Sequence, residues 1–221
     1  MEAKFPRTFI DLNRSHLELD PRLISGDFRF DKTARNMAGM GVIPRISGNG
    51  KEIYSKPLFI KDATKRLESF YFPYHSYLYN LLLESKKRLG YAVLFDCHSM
   101  PSKLNLEFSN SKYNNDPDII LGDLNGTSCS SFLINEVKAI FEKHNFFVTK
   151  NHPFSGGYIT KQYGNPSDAI HVIQIEINKK LYMNENSIKK NKNFENLRTK
   201  LTAVIEELSN LYPTRKKIAA E

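Results

Sequence analysis

The chain has 221 residues, 40% of them hydrophobic and 25% charged, with a formal net charge of +8. That length suits one domain over residues 1–221 with a sizeable core. The N-terminus lacks the basic flank and apolar stretch of a signal peptide, and no apolar run approaches the roughly 20 residues of a membrane span. Cys97 and Cys129 are too few for a disulfide framework, so a reduced, cytoplasmic protein is the expectation.

Arg7–Leu12 is a short β-prone run stopped by Asn13-Arg14-Ser15. From about Pro21 to Pro57, frequent Gly, Pro and Asn predict long irregular loops with a brief strand over Val42–Ile46. Asp62 is placed to cap a helix whose apolar positions are Leu67, Phe70, Tyr71, Tyr74, Leu78, Leu81 and Leu82. Pro73 should kink or restart that helix, and Lys86-Lys87-Arg88 with Gly90 should end it. Tyr91–Phe95 then reads as a central strand covered on both faces, with Cys97 buried in it.

Asp118–Leu121 is a further strand, followed by a helix capped by Ser128 or Ser130 and running to about Lys143. Phe146–Thr149 and Ala169–Ile177 read as strands, and Asn193–Leu211 as a final amphipathic helix. This alternation predicts an α/β fold, a mixed sheet with helices on both faces. Residues 186–221 form a basic C-terminal loop and helix carrying Lys189, Lys190, Lys192, Arg198, Lys200, Arg215, Lys216 and Lys217. No nucleic-acid-binding motif accompanies that charge, so it reads as a solvated surface. A basic nucleic-acid or anion-binding module is the remaining alternative.

Three strand ends carry reactive side chains. Asp96 and His98 are two residues apart and point the same way on a strand. Histidine at such a place suits zinc, with Asp96 as its support, or is satisfied at the sheet edge. Glu176 interrupts the apolar strand Val172–Ile177, where an unpaired carboxylate would be very costly. It therefore needs a cation, a metal-bound water, a raised pKa or a structural ion pair. Arg14, beside Asn13, can grip a carboxylate or lie on an exposed turn. The run Asn151–Thr160 places Gly156-Gly157 next to Tyr158, as a ligand-approach loop, a mobile lid or a tight turn.

Taken in order, these segments resemble the N-formylglutamate amidohydrolases. The resemblance is carried by Phe9–Arg14 with Glu18-Leu19-Asp20-Pro21, Tyr74-His75 with Leu78, and Asp96–Pro101. It continues through Asp118–Asp123 with Gly126 and Cys129, Phe154–Thr160 with Tyr163-Gly164, and Gln174–Ile177 with Leu181-Tyr182-Met183. It implies a sheet like that of the zinc carboxypeptidases and phosphorylase/hydrolase-like folds, and conversion of N-formyl-L-glutamate and water to formate and L-glutamate. By resemblance His98 is a zinc (Zn2+) ligand and Glu176 the general base. Asn13 and Arg14 hold the substrate carboxylate, with His75, Gly157 and Tyr158 also placed at the substrate. The implied substrate is a small anionic N-acyl amino acid. The resemblance also implies a preceding segment, with a strand, a helix and further zinc ligands, that this chain lacks. Asp96, His152 and His16 are other donors within it. The alternatives are an inactive relative, or one half of a split enzyme partnered by a separate N-terminal fragment.

Overall fold

The computed structural model describes residues 1–103 and 116–211, so the basic residues Arg215, Lys216 and Lys217 lie outside the described residues. The chain divides into two compact units, Met1–Ser85 with Gly157–Ile159, and Lys86–Gly156 with Thr160–Glu221. No helix among the described residues is long and apolar enough to cross a membrane.

The first unit is mostly loop. Its regular elements are β1 (Ile24–Ser25), helix α1 (Ala34–Met37), β2 (Leu58–Phe59) and most of a long helix. That helix comprises α2 (Ile60–Arg66), a wider π turn (Leu67–Tyr71) and α3 (Phe72–Leu89). Its core gathers Ile10, Leu12, Leu19, Val42, Ile43, Leu67 and Tyr71. Arg7–Leu12 and Val42–Ile46 are not strands. The chain turns at Pro6–Phe9, Asp11 N–H donates to Val42 O at 2.7 Å, and Val42 N–H donates to Glu18 O at 2.8 Å. These isolated bonds satisfy the buried backbone without a ladder. A buried pair, Arg45 Nε to Asp20 Oδ2 at 2.8 Å, ties two of the loops together.

The long helix begins earlier than its sequence suggests, with Phe59 at the cap and Asp62 inside the first turn. Pro73 has no N–H for the Ser69 carbonyl. The helix widens just before it, and the Phe72 N–H bonds Leu67 O, five residues back. Leu67, Tyr71, Leu78 and Leu82 are buried, whereas Phe70 and Leu81 are exposed. Gly90, at φ 84°, closes the helix by donating to Lys86 O.

The second unit holds a four-stranded mixed sheet. Its strands are β3 (Ala92–Met100), β4 (Ile119–Gly122), β5 (Val148–Lys150) and β6 (Ile170–Asn178), in the order β3-β6-β4-β5. β6 runs parallel to β3 and antiparallel to β4. The two-sided position expected for Tyr91–Phe95 belongs to β6. Among the described residues β3 pairs with β6 alone, and Cys97 on it is exposed. A continuous apolar run marks contact with a core and does not fix the number of strand neighbours. Val93 and Phe95 pack on the cluster of Ile173 and Ile175 with residues of α4 (Ser131–Lys143) and α6 (Phe194–Ser209). Ser130 caps α4 by accepting the Leu133 N–H at 3.3 Å, a contact worth about 1 kcal/mol. Further elements among the described residues are the short helix α5 (Tyr158–Tyr163), 3-10 turns at Pro166–Asp168 and Lys179–Leu181, and a two-residue ladder, β7 (Met183–Asn184) with β8 (Lys189–Lys190).

His171 lies fully buried on β6, and its Nδ1 accepts the Ser130 N–H at 3.3 Å. The ring proton is therefore on Nε2, which has no hydrogen-bond partner among the described residues. Burial pushes the pKa of this ring down. Proton uptake then favours the unfolded chain. The stability contributed by the neutral ring is complete above the ordinary histidine pKa of about 6.5 and is lost as pH falls from there toward the folded value. The urea midpoint is expected to be lower at pH 5 than at pH 7.5. The variant His171→Phe, less stable at both because Ser130 N–H loses its acceptor, should narrow that gap. An unchanged gap contradicts the assignment.

Candidate functional site

In the second unit the parallel register places Asp96 beside Gln174 and His98 beside Glu176. Alternation along each strand turns all four side chains to one face. His98 Nε2 lies 2.9 Å from Asp96 Oδ2. A carboxylate only accepts, so Nε2 carries a proton. Gln174 Nε2 donates to Glu176 Oε1 at 2.8 Å, with both side chains buried. The structure thus supplies the amide partner for Glu176 that sequence reasoning did not assign. The available signal was the i, i+2 spacing of Gln174 and Glu176 within an apolar strand. On the other face of β3, the Cys97 thiol pKa is raised by desolvation first and by Asp96 second, which disfavours a reactive thiolate.

A histidine whose second ring nitrogen donates to a carboxylate is oriented as zinc-binding histidines usually are. A catalytic zinc ion, however, takes three protein ligands. Among the described residues no three His, Cys, Asp or Glu side chains gather to hold a metal ion. Of the other expected donors, His16 packs against the rings of Tyr71 and Phe72. The described residues do not fit zinc by themselves.

The first unit gathers Asn13, Arg14, His75, Gly157 and Tyr158. Asp11 organises the turn, accepting the Asn13 N–H at 3.0 Å and pairing with Arg7 at 2.8 Å. Arg14 is largely buried. Its Nε donates to Met40 O at 3.1 Å and its Nη1 to Asn13 O at 2.7 Å, and the Asp11 carboxylate lies 3.9 Å from Nε, so the guanidinium is oriented within its own unit. Burial lowers its pKa while Asp11 raises it, and the guanidinium remains a cation at neutral pH. His75 Nε2 donates to Leu12 O at 3.1 Å. The ring sits 4.2 Å from Tyr71 and 5.7 Å from Tyr158, centroid to centroid. Burial, only partly opposed by the Leu12 hydrogen bond, takes its pKa down to about 4, so it is neutral at pH 7.

Asn13 has a structural duty here, because its Oδ1 accepts the Ile159 N–H at 2.8 Å in the first turn of α5. A Cβ on Gly157 would meet Asn13 Nδ2, Oδ1 and Cγ at 2.5–2.7 Å, so the glycine exists for this backbone approach. Gly157→Ala should destabilise the protein by about 1–3 kcal/mol, the usual range for overpacking. In a urea double-mutant cycle, adding Asn13→Ala should recover part of the loss. Strict additivity contradicts this packing.

The sequence profile of the N-formylglutamate amidohydrolase family matches residues 1–183. An N-formylglutamate deformylase of Pseudomonas putida is 31% identical over 186 residues, covering 83% of this chain and 63% of that protein. Its counterpart in Pseudomonas aeruginosa PAO1 is 28% identical over 188 residues, covering 84% and 64%. The chain therefore spans less than two thirds of the length of these curated relatives. The crystal structure of N-formylglutamate amidohydrolase from Ralstonia eutropha JMP134 superposes with a TM-score of 0.85 at 27% identity, covering 94% of this chain and 75% of that one. The extent of the profile match, over a fold shared with that structure, places the chain in the N-formylglutamate amidohydrolase family.

Proposed function

We propose that the chain hydrolyses the formamide bond of N-formyl-L-glutamate, yielding formate and L-glutamate, as the names of its relatives suggest. The observation that carries this reading is the buried polar strip in which Glu176 lies in register with the Asp96-held His98. An ionised carboxylate in an apolar strand is poorly solvated, and such groups cluster where proton transfer is needed.

In the reaction, Glu176 takes a proton from water as the water oxygen bonds to the formyl carbon. The same proton passes to the amide nitrogen as the C–N bond breaks, and glutamate leaves with formate. His98, fixed by Asp96, is the polar group beside that base. Arg14 of the first unit, taken by itself, is a cation of the kind that grips a carboxylate. The net charge of +8 suits an anionic substrate.

Formate released from N-formyl-L-glutamate, read with a coupled formate dehydrogenase, tests the proposal on the 221-residue chain. Turnover is expected, and Glu176→Gln should lower kcat by about 10²–10⁴, the usual weight of a general base. Its melting temperature should stay near that of the parent. No formate from the parent chain, or full turnover by the variant, contradicts it.

A further inference from the structure

We propose that Gln174 is a positioning residue for this hydrolysis, acting through Glu176; the inference rests on the function proposed above. Gln174 and Glu176 are two residues apart on β6 and share a face, with Nε2 donating to Oε1 at 2.8 Å. Both are buried, at 5% and 9% exposure, so the hydrogen bond is shielded from competing water. The surroundings are crowded. Its register neighbours are Asp96 on β3 and Gly122 on β4. A Cβ on Gly122 would meet the Ser155 carbonyl and the Gly156 nitrogen at 2.7–2.8 Å. The backbone of Ser155-Gly156 therefore closes over the face that carries Gln174, where a larger residue than glycine has no room.

The chemical consequence follows from the type of donor. A lysine or arginine beside Glu176 would fix the carboxylate by neutralising it. A neutral amide fixes one oxygen and the plane of the group without supplying a counter-charge. Gln174 thus orients the base without neutralising it. Removing the amide should leave substrate binding intact and misdirect the proton acceptor.

The test is steady-state deformylation by Gln174→Met, close in size but without the donor, and by Gln174→Asn, which withdraws the amide by one methylene. If the proposal is right, both lower kcat by about 10-fold or more, as for loss of a hydrogen bond to a charged group, with KM within twofold. In a Glu176→Gln background, Gln174→Met should then cause no further loss, because the residue acts only through the carboxylate. The Asn variant keeps the test standing if the Met variant fails to fold. Unchanged kcat in both variants, or a loss that adds fully to that of Glu176→Gln, overturns the role of Gln174 alone. Full activity in Glu176→Gln instead overturns the function on which it rests.

Discussion

The nine-residue parallel pairing of β3 with β6 is the constraint on which the second unit depends. Strand side chains alternate, so a slip of one residue would carry Asp96 and His98 to the opposite face while leaving Gln174 and Glu176 where they are. The register is held from the other face by Val93 and Phe95 packing with Ile173 and Ile175 onto the core of α4 and α6. Burying each such aliphatic or aromatic side chain is worth roughly 1.5–3 kcal/mol. The apolar face thereby fixes the geometry of the polar one.

Polar groups in so buried a place persist only when partnered. Hydrogen bonds from His98 to Asp96 and from Gln174 to Glu176 tie polar groups together along each strand. The first unit solves a similar problem differently, with little regular structure to satisfy its backbone. Asp11, Asp20 and Asn13 take that part, each accepting a backbone N–H with a buried side chain, from Asn13, Arg22 and Ile159 respectively. Arg14 is consequently oriented by carbonyls of its own unit, which leaves its side chain little freedom.

Much of the sheet was legible in the sequence because its signals are local. The strands around Ile119 and Ile173, and the helices beginning after Ser130 and Asn193, lie within a few residues of where patterning puts them. The Ser130 cap was among the expected choices, since a hydroxyl before an apolar-periodic stretch is a direct chemical cue. In the first unit the irregular stretch from about Pro21 to Pro57 was legible from its Gly, Pro and Asn, whereas the strands expected at Arg7–Leu12 and Val42–Ile46 did not form. Whether Arg7–Leu12 forms a ladder depends on a neighbour that sequence periodicity does not reveal. Cys97 was misplaced for the same reason, because burial of a strand residue depends on what lies beyond its edge. Within the site, the strand ends announced His98 and Glu176 by residue type. The amide of Gln174 and the packing duty of Asn13 required distances, since neither residue type is unusual in its local sequence.

The central claim is that the β3–β6 register makes His98 and Glu176 one working unit. A double-mutant cycle on deformylation with His98→Ala and Glu176→Gln measures this directly. Residues that act together are strongly non-additive, so the double variant should be no slower than the slower single variant. Independent, fully additive losses would contradict the account.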